Sequence, residues 1–299
     1  MTREALTRFA WLSIAAALTT ISLKTWAWWL TGSVGLLSDA LESLVNLAAA
    51  VIALCMLRIA ARPPDAEHSF GHSKAEYFAG GLEGLFILAA AAGIALTAVP
   101  RLLQPAPLEQ VGWGLVVSAL AAVVNLVVGR ILIQAGRKHH SLTLEADGQH
   151  LMTDVWTSGG VIAGVALVGL TGWQRLDPLI ALAVAVHICV TGYRLLRQSI
   201  AGLMDTALPE EERSRVRAIL DRHRAEGVEY HALRTRQAGH RRFVYFHLLV
   251  PGAWSVERGH QLMEDIEAEI RASLAYATVI AHLEPVEDPS SYQDQQLDR

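Results

Sequence analysis

The sequence predicts a membrane domain of six helices followed by a smaller C-terminal domain of α+β structure. Of the 299 residues, 52% are hydrophobic and only 18% are charged, and the mean hydropathy is +0.31. A typical soluble domain has about 25% charged residues, so the composition excludes a purely soluble globular protein. Long apolar runs recur through the first part of the chain, and the composition becomes that of a soluble domain after about Asp205.

Six apolar stretches have the length of about 20 residues that a helix needs to cross the bilayer core. They cover roughly 9–31, 34–57, 77–99, 111–134, 144–170 and 179–196. The first stretch is too long for a cleaved signal peptide. It also ends in Trp26, Trp28 and Trp29 without a small-residue cleavage pattern. We therefore expect six transmembrane helices.

The basic residues of the short loops predict the orientation of these helices, because cytoplasmic loops carry an excess of Lys and Arg. With the N-terminus inside, the outer side receives only Arg101 and Arg175. The cytoplasmic side receives Arg3, Arg8, Arg58, Arg62, Lys74, Arg130, Arg137, Lys138, Arg194 and Arg197. The sequence therefore predicts a multi-pass protein embedded in the lipid of the cytoplasmic (inner) membrane, with both termini in the cytoplasm.

The segment after the sixth stretch predicts the order αββαβ, a small two-layer α+β domain. Pro209 and three glutamates open a helix, and two strand-like runs follow at 229–236 and 242–250. Residues 255–274 have helical periodicity, and 277–283 form a last short strand. We therefore expect a transmembrane domain over 1–205, a cytoplasmic domain over 206–287 and a disordered tail over 288–299.

Charge and cysteine content exclude several classes of function. The formal net charge is −4, and no block of basic residues forms an arm, so nucleic acid is not an expected partner. The two cysteines, Cys55 and Cys189, are too few for a disulfide framework or a Cys-rich zinc site. Any metal site must therefore use histidines and carboxylates.

Ionisable side chains inside apolar helices are costly and by default mark a functional site. Two helices carry polar triads with the same spacing of i, i+3 and i+7: Asp39, Glu42 and Asn46 on the second, and Asp147, His150 and Asp154 on the fifth. This spacing places all members of a triad on one helix face. The two faces can meet antiparallel, which puts Glu42 and Asn46 opposite His150 and Asp154.

One imidazole, two carboxylates and an amide oxygen form a four-ligand set that suits a divalent ion such as zinc. Asp39 and Asp147 would extend this polar ladder towards the outside and the cytoplasm. The alternative is that the polar groups only hydrogen-bond between helices, although two matched triads favour metal ligands. Glu83, Asn125 and His187 are unaccompanied on their own helices, so we expect packing or hydrogen-bonding roles for them.

Two further groups have metal-ligand character. Asp65, His68 and His72, between the second and third stretches, have ligand-like spacing, although a solvated loop can contain such residues by chance. The C-terminal domain contains the second group: His231, His247, His260, His282 and Glu284. In a strand, the side chains of His282 and Glu284 point to one face. Solvent-exposed surface histidines are the alternative interpretation.

Four motifs span nearly the whole chain: TGSVGLLSDALESLVN from Thr31, HSFGHSKAE from His68, His150-x-x-x-Asp154, and LRTRQ from Leu233. Together they resemble the cation diffusion facilitator family. The resemblance implies a homodimeric transporter, not an enzyme, that exports divalent metal ions, usually zinc, in exchange for protons. It also implies a six-helix domain and a metallochaperone-like cytoplasmic domain.

The resemblance carries the family's three metal sites onto particular residues of this chain. The central transport site corresponds to Glu42, Asn46, His150 and Asp154, and the loop site to Asp65, His68 and His72. The cytoplasmic zinc cluster corresponds to His231, His247, His282 and Glu284, with His260 as a bridging ligand.

The second helix departs from the common family pattern. Many zinc-transporting members have His or Asp followed by Asp, where this chain has Glu42 and Asn46. The neutral amide leaves metal identity and proton stoichiometry open, so Mn, Fe, Co, Ni and Cd are alternatives to zinc, and Asp39 could compensate for the lost charge. A membrane metalloenzyme is disfavoured because the sequence has no His-Glu-x-x-His motif. A metal sensor or scaffold without transport explains the C-terminal histidines but not the helical triads.

Overall fold

The computed structural model describes residues 6–31, 34–104, 112–224 and 227–293. The side chains at 27, 28, 30–42, 45, 112–115, 161, 165, 166, 169 and 177 lie outside this description. The predicted ligands Asp39 and Glu42 are among them. The chain divides into two compact units, Met1–Ile200 and Ala201–Arg299.

Six long helices form the N-terminal part of the chain, which confirms the predicted helical membrane domain. They are α1 (Thr7–Thr31), α2 (Val34–Ala60), α3 (Ala75–Leu103), α4 (Gly112–His139), α5 (Leu142–Thr171) and α6 (Leu176–Leu203). Within the described residues, three stretches are long and apolar enough to cross a membrane: Ala75–Leu103, Val116–His139 and Pro178–Leu203.

Helices α4 and α5 pack closely because glycines line their contact. A Cβ atom at Gly136 would lie 2.6 Å from the Glu145 amide nitrogen, and one at Gly148 would lie 2.8 Å from the Gly129 carbonyl oxygen. Small residues let helix backbones approach closely in membrane bundles. The buried aliphatic core around this pair includes Leu54 and Leu57 of α2, Leu132 of α4, and Leu144 and Leu151 of α5. This packing fixes α5, which carries the second polar triad.

The C-terminal unit has the predicted order αββαβ. Its elements are α7 (Glu210–Arg222), β1 (Glu229–Ala238), β2 (Arg241–Val250), α8 (Val256–Ser273) and β3 (Ala277–Pro285). The sheet order is β1-β2-β3, with β1 antiparallel and β3 parallel to β2. The side chain of Ser255 begins α8 by accepting the Arg258 backbone N–H at 3.2 Å, which satisfies a donor at the helix start.

A hydrophobic core holds the helices of this unit against its sheet, and a largely buried ion pair also links α7 to β2. The core includes Val216 and Leu220 of α7, Phe246 of β2 and Ile266 of α8. Arg242 of β2 binds Glu212, just inside α7, through two N–H···O bonds of 2.7 Å each. Such bidentate pairs are both strong and geometrically specific, so the position of α7 on the sheet is well defined.

Strand register places three histidines in one row across the sheet. His231 on β1 pairs with His247 on β2, and His247 pairs with His282 on β3. The β1–β2 register shifts just after His231, where Ala232 has the left-handed φ of 49°. Bulges of this kind re-aim neighbouring side chains and are common beside functional sites.

The start of the predicted disordered tail folds back on the end of β3. Pro289–Tyr292 form a 3₁₀ turn. Ser291 Oγ donates to the Pro285 carbonyl at 2.9 Å, and the Tyr292 hydroxyl donates to the Val286 carbonyl at 3.0 Å. These two bonds are the physical reason why residues 289–292 have structure. Residues 294–299 of the predicted tail lie outside the described residues.

Candidate metal centres

The helical bundle brings together one polar side chain from α2 and two from α5. Asn46 and His150 are each only 5% exposed. His150 Nε2 lies 2.7 Å from Asn46 Oδ1, and Asn46 Nδ2 donates to Asp154 Oδ2 at 2.5 Å. The structure therefore places Asn46 opposite His150 and Asp154, as the helix spacing predicts. The imidazole of His150, the carboxylate of Asp154 and the amide of Asn46 are donor groups that suit a borderline divalent cation.

Two residues from other helices also reach this central cluster of Asn46, His150 and Asp154. Asn125 on α4 donates from Nδ2 to Asp154 Oδ2 at 3.0 Å. On α3, Glu83 Oε2 lies 3.6 Å from His150 Nδ1. The expectation of a hydrogen-bonding role holds for Asn125. Glu83 stands alone on α3, and the structure places its nearest polar neighbour on α5, where spacing along α3 gives no signal.

The remaining triad residues have different surroundings. Asp147, one turn before His150 on α5, is buried, and its Oδ1 accepts a hydrogen bond from Ser13 Oγ of α1 at 3.0 Å. Asp147 therefore contacts α1 and does not join the donor atoms around Asn46. Asp39 and Glu42 lie within α2, but their side chains are outside the described residues.

The loop between α2 and α3 brings together the three residues of the predicted loop site. Asp65 Oδ1 lies 3.3 Å from His68 Nδ1, and Asp65 Oδ2 lies 3.3 Å from His72 Nε2. One donor atom from each residue fits within 4.8 Å of the others. Gly71, with the left-handed φ of 82°, makes the reversal that places the two rings 4.4 Å apart.

Local hydrogen bonds orient the Asp65 carboxylate in this loop cluster of Asp65, His68 and His72. Its Oδ1 accepts the backbone N–H groups of His68 at 2.7 Å and Glu67 at 3.1 Å. The His68 N–H, together with the nearby His72 and His68 rings, holds the pKa of Asp65 below its usual value. The carboxylate is therefore ionised at neutral pH, as a metal ligand must be.

Three donor atoms converge on one face of the C-terminal sheet. His231 Nε2 lies 3.2 Å from His247 Nδ1, and Glu284 Oε2 lies 3.2 Å from each of them. Tetrahedral zinc with bonds of about 2.0–2.1 Å requires ligand atoms about 3.3 Å apart. The equilateral triangle of this sheet cluster, made by His231, His247 and Glu284, therefore matches one face of a zinc tetrahedron.

The other predicted ligands of the C-terminal unit lie beside or away from the sheet cluster. His282 Nδ1 is 3.7 Å from Glu284 Oε1, and its side chain is 65% exposed. This position fits a ligand that shares Glu284 with the cluster. His260 is exposed on α8 and is not part of the group that converges within the described residues. Its bridging role therefore stays a prediction.

Two family models match the chain in succession. The cation efflux transmembrane domain matches residues 10–204, and the cytoplasmic domain of cation efflux proteins matches residues 208–286. Both matches agree with the division of the structure into a helical unit and an α+β unit.

Individual relatives extend over nearly the full length. "Uncharacterized transporter sll1263" of Synechocystis sp. is 52% identical over 293 residues, which cover 98% of this chain and 94% of that relative. The "Cation-efflux pump FieF" of Klebsiella pneumoniae subsp. pneumoniae is 34% identical over 285 residues, or 95% of this chain and 93% of the pump. A solved structure of CzrB in a Zn form has 40% identity and a TM-score of 0.24, and it covers 26% of this chain and 90% of that chain. Because the family models and the relatives span both units, the chain belongs to the cation efflux, or cation diffusion facilitator, family of membrane transporters, which are not enzymes.

Proposed function

We propose that this divalent metal transporter exports zinc from the cytoplasm in exchange for protons, and that the central cluster binds the transported ion. The buried contact of Asn46 with His150 and Asp154 carries the proposal, because it joins two helices through metal-ligand side chains inside an apolar bundle. Glu42, one turn before Asn46 on α2, would supply the fourth ligand of a tetrahedral site. Asp39 and Asp147 would provide further carboxylates along the path of the ion.

Proton exchange follows from the chemistry of the ligands. His150 and Asp154 can bind a metal only when their donor atoms carry no proton, so metal binding releases protons and protonation releases metal. Rocking of the bundle would expose the fixed site first to one side of the membrane and then to the other. We further propose that both termini lie in the cytoplasm of an inner-membrane protein, in which an inward proton gradient would drive zinc outwards.

The transport proposal is tested with the purified full-length protein in sealed proteoliposomes that contain a pH-sensitive dye. We expect zinc uptake together with proton movement in the opposite direction, and loss of uptake when the proton gradient is collapsed. Competition by Mn, Fe, Co, Ni and Cd would rank the substrates. Zinc binding without any flux would favour the sensor or scaffold instead, and flux without proton movement would contradict antiport.

We further propose that the cytoplasmic domain binds a structural zinc ion at the sheet cluster and that this ion strengthens the homodimer. The matched cytoplasmic family is one of dimerisation domains, and metal bound only by the folded dimer stabilises it by linkage. His282, which lies beside the shared Glu284, is the candidate ligand for a second ion. In the dimer, His260 would act as a bridging ligand to this second ion. The loop cluster is proposed as a weaker site, because Asp65 and His68 are both exposed.

Zinc is expected to raise the melting temperature of the isolated domain, residues 206–299, by roughly 10–20 °C at a free zinc concentration of about 100 times the dissociation constant. Calorimetry should show zinc binding at neutral pH, and sedimentation should show tighter dimers. His247→Ala removes one of the three ligand atoms and should abolish the zinc-induced rise in melting temperature. His223→Ala is the matched control, because its Nε2 contacts Glu269 at 3.2 Å. If calorimetry detects no heat of zinc binding to the unmodified fragment, the sheet cluster does not bind metal and its histidines are ordinary surface residues.

A further inference from the structure

Glu83 of α3 lies behind His150, on the side away from Asn46. Glu83 is only 2% exposed, and its Oε2 is 3.6 Å from His150 Nδ1. Within the described part of the chain, neither of these two atoms has a hydrogen-bond partner. A buried polar group without a partner is costly, and such a group in a native structure needs an explanation.

We propose that Glu83 is a positioning residue of the transport site, which accepts the Nδ1–H of His150 and thereby keeps Nε2 directed at the metal. The inference rests on the proposed role of the central cluster in zinc transport. It deepens that proposal by adding a residue from α3 to a site whose proposed ligands come from α2 and α5.

The two ring nitrogens of His150 must have different roles when the residue binds a metal. A neutral imidazole has one N–H and one lone pair, and the lone pair must face the ion. In this structure Nε2 donates its hydrogen to Asn46 Oδ1, which lies 2.7 Å away on α2. When a metal ion takes the place of this contact, Nε2 must present its lone pair, so the hydrogen must then be on Nδ1, on the side of Glu83. Metal-binding histidines generally donate this second N–H to a carboxylate or carbonyl, which fixes the ring and makes the ligand more basic.

The geometry requires only a small adjustment to make this bond. A separation of 3.6 Å exceeds the usual upper limit of an N–H···O bond by about 0.4 Å. A shift of about 0.4 Å in one of the two side chains would close that gap.

Glu83 also changes the charge around the site. Its carboxylate interacts electrostatically with the carboxyl groups of Asp147 and Asp154. Asn46 is neutral, so α2 contributes less negative charge here than in family members with a carboxylate at that position. A bound divalent cation would offset the repulsion between these carboxyl groups, so a carboxyl group at position 83 favours the ion-bound site.

The experiment compares Glu83→Gln and Glu83→Leu in proteoliposomes, with the half-saturating zinc concentration and the maximal rate measured separately. Glutamine retains an acceptor oxygen without the charge, whereas leucine retains neither. We expect the half-saturating concentration to rise about tenfold for Gln and up to about 100-fold for Leu, while the maximal rate stays within about twofold. A purely structural role would instead lower the maximal rate and the yield of folded protein.

Glu76→Gln is the matched control. Glu76 is another fully buried carboxylate of α3, but it accepts a hydrogen bond from Ser141 and not from His150. The Glu76→Gln variant should therefore have the same half-saturating zinc concentration as the unmodified protein. If the unmodified protein carries no zinc, the transport proposal itself fails. If the unmodified protein carries zinc, and both Glu83→Gln and Glu83→Leu have the same half-saturating zinc concentration as the unmodified protein, Glu83 has no positioning role. The transport proposal stands in that case.

Discussion

Zinc flux is expected to fall more than about 100-fold in His150→Ala, with the protein still folded and inserted. The central cluster loses its nitrogen ligand, and even residues that only orient metal ligands change affinity about 10–100-fold when replaced. Asp154→Ala should have an equally large effect, because it removes the carboxylate that accepts hydrogen bonds from Asn46 and Asn125. Flux is measured in proteoliposomes, and folding by thermal unfolding in detergent.

His187→Ala is the matched control for these variants. His187 lies on another membrane helix, α6, and its ring is 5.0 Å from that of Trp156, outside the central cluster. Its zinc flux should remain close to that of the unmodified protein. Wild-type flux in His150→Ala or Asp154→Ala would show that the transported ion does not bind there.

Asn46→Asp is expected to keep transporting and to bind zinc at least about tenfold more tightly above neutral pH. The amide N–H that lies 2.5 Å from Asp154 Oδ2 is replaced by a carboxylate oxygen, so two like charges face each other. A divalent cation relieves this repulsion: at 4 Å, one pair of charges interacts by about 4 kcal/mol at an effective dielectric constant of about 20. Zinc affinity is measured by competition with a chelating dye, at several pH values.

The same substitution should make transport depend more steeply on pH, because the site gains one more group that binds a proton when the metal leaves. Asn46→Ala separates the effect of the added charge from the effect of losing the amide, since it removes the amide without adding a charged group. If Asn46→Asp changes neither affinity nor the pH profile, Asn46 does not bind the metal. Asp39 then becomes the better candidate for the fourth ligand.

The sequence predicted the elements well and several of their ends less well. The sequence predicts that the third stretch ends at about 99, yet α3 continues through Pro100 to Leu103. The sixth was expected over 179–196, and α6 runs from Leu176 to Leu203. Hydropathy reports the part of a helix inside the bilayer core, whereas backbone hydrogen bonding continues through Arg197 and Gln198 at the polar edge.

The candidate sites were predictable wherever their residues share one element. Spacing within α5 identified His150 and Asp154, and alternation within β3 identified His282 and Glu284. Glu83 and Asn125 are not connected with the central cluster by the sequence, because each is a single polar residue on its helix and lacks the matched triad that relates α2 to α5. The convergence of His231 with His247 likewise depends on strand register, which the sequence pattern left open.

That register links metal binding to the accuracy of folding in the C-terminal sheet. A slip of one residue between two strands turns every side chain of the slipped strand to the opposite face. His231, His247 and His282 would then no longer form one row, and the three-donor triangle with Glu284 would be lost. Since metal binds only the arrangement that presents its ligands together, its binding free energy is added to the native pairing alone. A zinc ion at this position would widen the energy gap between the correct sheet and its misaligned alternatives.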